Sequence, residues 1–310
     1  MRFAKLLIEE DYEIKNHTSF KIGGKIAKIY FPETVEEVLQ LANLPVIGNL
    51  SNTLVSSFGY NKELLSSEKL NYLKILKDCH SEALAEESQN IIIAGAGVKG
   101  PKLAQTACEK GLSGLEFMIG FPGSVGGEVY MNAGAHGQEI SNRLKSAKIY
   151  CPQKGILTLK NEDLKFGYRT SICQSENYTV LEAEFDLIPK NPDEIKKQME
   201  KNLEFRKEHQ PSLAQPNCGS IFKNPKGLSA GKLLDECYVK ELKVGGAKVW
   251  ENHANFIINT GNATSTDVLS LMFMMQNRVK DKFGIELLPE IKYLGDNNEE
   301  VELCKLLKVK

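Results

Sequence analysis

The sequence predicts a chain of mixed helix and strand in two domains, and three observations carry that prediction. The opening alternates strand, helix and strand: Ile26 to Phe31, then a helix with Val35, Val38, Leu39 and Ala42 on one face, then Pro45-Val-Ile-Gly48. A glycine-rich yet apolar block fills residues 120–140, and a break flanked by prolines, Pro189-Lys-Asn-Pro192, falls late in the chain. At 310 residues the chain is long enough for two domains, or three small ones, each able to bury a core.

Composition excludes several classes. Hydrophobic content of 42% and charged content of 25% are those of an ordinary globular protein. With 39 basic against 40 acidic residues there is no global field for nucleic acid or anionic lipid. Apolar runs are too short for a membrane span, and Met1 to Glu10 does not read as a signal peptide, so a cytoplasmic protein is expected. Seven cysteines, at 79, 108, 151, 173, 218, 237 and 304, show no Cys-x-x-Cys pair, and His17, His80, His136, His209 and His253 form no ligand cluster. Free thiols and no metal are expected.

In the first helix Thr34 and Glu37 have capping-box spacing. Residues 61–90 are polar and carry a strand near Leu73 to Leu76. Ile91-Ile-Ile-Ala94 predicts a strand, followed by Gly95-Ala-Gly97-Val-Lys-Gly100 and a helix from Pro101 that Gly111 stops. That stretch matches a dinucleotide fingerprint, but the expected second strand with an acidic end is replaced by the glycine block. Strands are expected at Ala147 to Cys151, Gly155 to Leu159 and Tyr178 to Leu187, and a helix at Asp193 to His209 with Ile195, Met199 and Leu203 on one face. Ser229 caps a short helix, Asn252 to Asn259 carries a strand, and Asp267 to Phe283 forms a helix with an apolar stripe of Val268, Leu271, Met272, Met275 and Val279. Glu286 to Lys292 reads as the closing strand, and residues 296–310 as an amphipathic or frayed tail.

Within the glycine block, Phe121, Val125, Val129, Tyr130, Met131 and Ile140 alternate with glycines, so the segment is not a linker. Gly123, Gly126 and Gly127 can bring bare backbone N–H groups against a flat or phosphorylated cofactor. A tight turn between two core strands would use the same glycines.

Arginine is scarce: Arg2, Arg143, Arg169, Arg206 and Arg278 are the whole complement. Arg169, between Tyr168 and Thr170, is a candidate for binding a carboxylate or phosphate, or else a salt bridge at a strand end. Ser220 follows Gly219 outside any Gly-x-Ser-x-Gly elbow, so it reads as a proton donor rather than a hydrolase nucleophile. Lys223 and Asn224 suit contacts to a phosphorylated ligand, or an ordinary turn before Pro225. Glu290, among apolar neighbours, can act as an acid or face water at a sheet edge.

Taken in order, Thr18-Ser-Phe-Lys-Ile-Gly-Gly24, Gly95-Ala-Gly97, Phe121-Pro-Gly-Ser-Val-Gly-Gly127, Met131-Asn-Ala-Gly134, Tyr168-Arg169, Gly219-Ser-Ile-Phe-Lys-Asn-Pro225, His253-Ala-Asn-Phe256 and Pro289-Glu290 resemble the UDP-N-acetylenolpyruvoylglucosamine reductases of peptidoglycan synthesis. The short span between Arg169 and Gln210-Pro211 resembles their shorter subtype, which lacks an inserted substrate-covering loop. The resemblance implies an α+β fold: an FAD-binding region of the vanillyl-alcohol-oxidase type over residues 1–190, with lobes of about 1–70 and 71–190, a substrate domain over 191–296 and a tail over 297–310. It implies FAD and NADPH as cofactors and UDP-N-acetylglucosamine enolpyruvate as substrate, in a cytoplasmic monomer that serves cell-wall synthesis.

By the same resemblance Arg169 and Glu290 polarise the enolpyruvyl carboxylate, Ser220 supplies a proton, and Tyr168, Lys223 and Asn224 contact the sugar nucleotide. FAD would be held by Gly48, Ser51, Asn52, Pro122, Gly123, Ser124, Gly126, Gly127, Asn132, Gly134 and Ile140. One departure stands out: the first FAD loop of the family reads close to Gly-Gly-Gly-Ser-Asn, and this chain has Gly48-Asn-Leu-Ser-Asn52. Leucine adopts positive φ at a cost, so FAD is expected still to bind, less tightly. Two rivals are an FAD-dependent oxidase of the same fold and a non-catalytic flavin or nucleotide sensor. Such oxidases often tether FAD through a histidine near the first glycine loop, and none lies between His17 and His80.

Overall fold

The computed structural model describes residues 6–41, 43–76, 90–212 and 214–310. The expectations for Ala42, Cys79 and His80 lie outside the described residues. The chain forms two compact units: Met1–Ile8, Tyr30–Asn49 and Leu64–Arg206 make the first, and Glu9–Ile29, Leu50–Glu63 and Lys207–Lys310 the second.

The first unit is built on a five-stranded sheet in the order Gly155–Lys160, Leu144–Cys151, Thr179–Asp186, Ile91–Gly95, Leu73–Leu76, antiparallel at every step. Ile91–Gly95 therefore has no parallel neighbour, and the Gly95 to Gly100 motif does not open a dinucleotide-binding β-α-β unit. Helix α1 (Val35–Gln40) is capped by Thr34, whose hydroxyl accepts from the Glu37 N–H at 3.2 Å. The Glu37 carboxylate reaches one residue beyond the cap, to the Glu33 N–H at 2.7 Å. Leu39, expected inside, is exposed because the inward stripe of this short helix is Val35 and Val38.

Helix α2 (Gly100–Glu109) buries Leu103, Ala104 and Ala107 and stops at Gly111, whose φ is +69°. Helix α3 (Val125–Met131) packs on the Thr179–Asp186 strand. Two more helices follow, α4 (Ile172–Ser175) and α5 (Pro192–His209). The α5 helix buries Ile195, Met199 and Asn202, whose amide donates to the Glu116 carbonyl at 2.9 Å. That polar anchor turns Leu203 outward, against the expectation.

The second unit carries a four-stranded antiparallel sheet in the order Asn217–Ser220, Phe256–Asn259, Ala247–Val249, Lys243–Val244. Helix α6 (Ala230–Glu236) is capped by Ser229. Helix α7 (Ser265–Phe283) has a complete capping box of Thr264 with Asp267 and ends at left-handed Gly284. Its buried stripe of Val268, Leu271, Met272, Met275 and Val279 lines a core shared with Phe20, Ile22, Phe222 and Leu234.

The closing strand is shorter than expected. It spans Lys292–Leu294 and runs parallel to Thr53–Val55, while upstream only Pro289 bridges to Phe222. Proline has no N–H to extend a ladder. The segment read as a frayed tail is helix α8 (Asn298–Leu307), capped by Asn297 and docked through buried Cys304 and Leu307.

Candidate active site

In the first unit the glycine block is laced to the loop after Ile91–Gly95 by backbone alone. Gly100 N–H donates to the Gly123 carbonyl at 3.2 Å, Val125 N–H to Val98 at 2.8 Å and Gly126 N–H to Ala96 at 2.9 Å. A Cβ on Gly126 would come within 2.8 Å of the Ala96 Cβ, so the approach demands glycine. Gly48 is the third wall, since a Cβ there would lie 2.7 Å from the Ser124 hydroxyl. Gly127 is exposed, and a Cβ on it would meet nothing nearer than that hydroxyl at 3.8 Å. Asn49 closes the arrangement: its amide donates to the Pro122 carbonyl, and its carbonyl oxygen accepts from Lys99 Nζ. Burial lowers the Lys99 pKa, opposed by the charge of Glu68.

Beyond α3 the chain holds Arg169 in place. Asn132, left-handed at φ +45°, donates to the Gly167 carbonyl at 3.1 Å and accepts from the Ser141 N–H at 3.1 Å. Gly167 and Thr170 exchange two 3.1 Å backbone hydrogen bonds, forming a tight turn with Arg169 at φ +55°. Ser171 and Gln174 tie this turn to the Tyr130 carbonyl at 2.8 and 2.9 Å. The Arg169 guanidinium donates to the Gly134 carbonyl at 2.8 Å and lies 5.2 Å from the ring centre of half-exposed Tyr168. A left-handed arginine is strained, and such strain gathers where a side chain must be aimed. Ile140 is wholly buried, its N–H bonded to the Ala133 carbonyl.

The second unit assembles Ser220, Lys223, Asn224 and Glu290. Gly219, at φ +78°, sits in a bulge between Asn217 and Ser220 that re-aims the serine at the end of its strand. Glu290 N–H donates to the Ile221 carbonyl at 2.8 Å and Lys223 N–H to the Leu288 carbonyl at 2.8 Å, fixing both residues beside Ser220. Asn52 Nδ2 donates to the Glu290 carbonyl at 3.1 Å, and its own carbonyl accepts from the Lys292 N–H at 2.9 Å. Ser19 Oγ donates to the Ser51 carbonyl at 3.3 Å. Asn224 is exposed and accepts from the Ala230 N–H at 3.0 Å.

A sequence model described as the UDP-N-acetylenolpyruvoylglucosamine reductase C-terminal domain matches residues 210–294, and one described as an FAD binding domain matches residues 29–160. The UDP-N-acetylenolpyruvoylglucosamine reductase of Caldanaerobacter subterraneus subsp. tengcongensis is 40% identical over 304 residues, covering 96% of each chain. The chain belongs to the UDP-N-acetylenolpyruvoylglucosamine reductase family. The reductase of the same name from Staphylococcus carnosus is 37% identical over 95% of this chain and 94% of its own. The crystal structure of the Thermus caldophilus reductase superposes with a TM-score of 0.77 at 32% identity, covering 94% of this chain and all of that one.

This reductase uses FAD and NADPH, and the first unit fits the flavin cofactor. Gly48, Gly123 and Gly126 let the backbone pack closely, Gly127 stays exposed with open space where a Cβ would stand, and the Ser124 hydroxyl is buried among them without a partner. Leu50 takes the left-handed conformation at φ +48° and turns its side chain into the protein, where it is buried. The residue that reaches the glycine block is Asn49.

Four residues escaped the sequence reading. Asn255 is buried and grips the Ser220 segment by accepting from Phe222 N–H at 2.9 Å and donating to the Phe222 carbonyl at 2.8 Å. Lys292 is pushed down to about 8 by burial and by the charges of Lys223 and Lys310. Lys99 is the third. Glu128, the fourth, carried a visible signal as the only charged side chain between Gly120 and Ala135. It is buried with neither oxygen hydrogen-bonded, and burial raises its pKa to about 8.

Proposed function

We propose that Arg169, Ser220 and Glu290 carry the reduction that defines this family, in which UDP-N-acetylglucosamine enolpyruvate becomes UDP-N-acetylmuramate at the expense of NADPH. The glycine block, with Asn132 and Gly134 beyond it, would hold FAD, which once reduced by NADPH would supply the hydride for the enolpyruvyl double bond. Arg169 binds the substrate carboxylate and, with Glu290, stabilises the negative charge that develops as the double bond is reduced. Ser220 gives its hydroxyl proton to the adjacent carbon; the hydroxyl is a weak acid, but the carbon it serves is a strong base at that moment. Tyr168, Lys223 and Asn224 contact the sugar nucleotide. The observation that supports this reading is the backbone hydrogen bond of Glu290 to Ile221, which ties the backbone of Glu290 to the residue after the bulge-aimed Ser220.

No helix among the described residues is long and apolar enough to cross a membrane. The reading places the enzyme in the cytoplasm, with its cofactors and nucleotide substrate, as a monomer.

The test is anaerobic mixing followed at the flavin's visible band. NADPH bleaches the band and the enolpyruvyl nucleotide restores it; bleaching without recovery would leave an oxidase or another acceptor. In Ser220→Ala, bleaching by NADPH persists and product formation collapses. Unchanged product formation would remove Ser220 from the mechanism.

A further inference from the structure

His253 closes the turn that carries the chain from Trp250 to Phe256. Trp250 N–H donates to the Phe256 carbonyl at 2.8 Å, His253 N–H to the Trp250 carbonyl at 3.3 Å and Phe256 N–H to the His253 carbonyl at 3.1 Å. Within that turn the His253 Nδ1 accepts from the Asn255 N–H at 3.1 Å. The ring meets Phe256 edge to face, with centres 5.0 Å apart. Helix α6 comes so near that a Cβ on Gly231 would stand 2.8 Å from the ring's Cε1. The half-buried ring therefore has little room to turn away from Asn255.

Both residues that His253 engages hold the segment of Ser220. Asn255 makes three hydrogen bonds to the two residues that follow the serine. Its carbonyl accepts from Ile221 N–H at 3.0 Å, and its side chain accepts from Phe222 N–H at 2.9 Å and donates to the Phe222 carbonyl at 2.8 Å. Phe256 is the cross-strand partner of Ser220 itself.

Neutral imidazole accepts at one nitrogen and carries its proton on the other, so an accepting Nδ1 puts the proton on Nε2. Protonation would set an Nδ1–H against the Asn255 N–H and end the hydrogen bond. Burial and then the charge of Lys240 lower the His253 pKa from its ordinary value; His209 adds to this and Asp235 opposes it. Asp235 and Lys240 pair with each other at 2.7 Å. Lys232, Glu236, Glu241 and Glu251, the remaining charged residues of α6, the turn after it and the His253 turn, are exposed. The Phe256–Asn259 strand lies between strands that carry Lys248 and Cys218, the latter held as a thiol by burial.

We propose that His253 is a positioning residue for the reduction: with Nδ1 free of a proton it holds Asn255, and through Asn255 and Phe256 it keeps Ser220 aimed for proton delivery. As the pH falls and the ring takes up a proton, the hold on Asn255 is released and proton delivery slows. A misplacement of about 1 Å costs a reaction up to about a hundredfold, so a loosened turn is enough. Reduction of the flavin by NADPH makes no use of Ser220 and does not follow the ring. The inference rests on the reading of Ser220 as the proton donor.

The test uses the FAD-loaded enzyme, with flavin bleaching by NADPH and product formation from the enolpyruvyl nucleotide followed separately from about pH 8 down to about pH 5. Nitrogen-15 spectra of histidine-labelled enzyme locate the His253 titration, its signal being identified by its loss in His253→Asn, and should show an unprotonated Nδ1 at neutral pH. Wild-type product formation should fall about tenfold across that titration, while bleaching does not follow it. Asparagine accepts from the N–H two residues on and takes up no proton, so His253→Asn should form product at close to the wild-type rate with a level profile. His253→Ala has no acceptor and should form product about tenfold more slowly at neutral pH while bleaching normally. A wild-type profile that ignores the His253 titration, a fall that persists in H253N, or wild-type product formation in H253A overturns the proposal. Undiminished product formation in Ser220→Ala would overturn the reading of Ser220 and this inference with it. Collapse in S220A beside full activity in H253A overturns this inference alone. If H253A does not fold, the wild-type and H253N profiles decide.

Discussion

Asn52 Nδ2 donates to the backbone carbonyl of Glu290, 238 residues away in the chain, at 3.1 Å. The Asn52 carbonyl also accepts from Lys292 N–H, so one asparagine holds the chain at two points just after the Cα of the proposed catalytic Glu290. Its side chain acts on Glu290 only through the backbone, which makes it a positioning residue.

Asn52→Ala removes that donor and leaves the Glu290 carbonyl short of a partner. A loss of about 1–2 kcal/mol in urea-unfolding free energy is expected. Product formation should slow more than flavin bleaching by NADPH. Equal slowing of both steps would mean that Asn52 does not act through Glu290.

Leu50 sets two effects against each other. The left-handed conformation costs leucine about 1–2 kcal/mol, while its buried side chain is worth about 2–5 kcal/mol against truncation. Leu50→Ala loses the burial and keeps the strain; Leu50→Gly loses the burial and relieves it. Both should melt below the wild type, with the glycine variant about 1 kcal/mol more stable than the alanine one. The reverse order would show that residue 50 carries no strain.

Glu300 explains why the C-terminal helix is not frayed. Its buried carboxylate accepts hydroxyl hydrogen bonds from Ser56 at 2.6 Å, Ser265 at 2.5 Å, Thr266 at 2.7 Å and Tyr293 at 2.7 Å. The Tyr293 hydroxyl is held against ionisation, by burial first and then by this bond. Glu300→Ala abandons four donors at once and should cost at least about 3 kcal/mol. A drop of less than about 1 kcal/mol in thermal or urea unfolding would make the network decorative.

How much of this could be read from the sequence follows from where each constraint lies along it. The glycine block and the Gly219-Ser220 bulge declare themselves because positive φ and close approach are paid in residue type at the position itself. The stripe of α7 is legible because a helix of 19 residues repeats its pattern several times. Leu39 and Leu203 turned outward because a short helix, or one anchored by Asn202, takes its orientation from partners far along the chain. The Asn49 contact to Pro122, the Asn52 contact to Glu290 and the docking of α8 are of the same kind. Glu128 was visible as a lone charge, but its lack of a partner is a property of the packed interior.

Two groups with values near 8 give the protein a pH signature, and their signs differ. Glu128 is raised from 4.5, so its contribution to the stability of the FAD-free protein is fully present below pH 4.5 and is lost as the pH rises through 8. Lys292 is lowered from 10.5 to about 8, so between these values the unfolded chain binds more protons and stability rises with pH. From these two residues alone, the unfolding free energy should pass through a minimum near pH 8. Glu128→Gln should flatten the acidic arm and Lys292→Gln the alkaline arm. Lys292 also faces the positive charge of Lys223, so neutralising it weakens the local field that an anionic substrate meets. With FAD held saturating, the KM for the enolpyruvyl nucleotide should therefore climb above pH 8 in the wild type and stay level in Lys292→Gln. A KM that climbs equally in both would take Lys292 out of substrate binding.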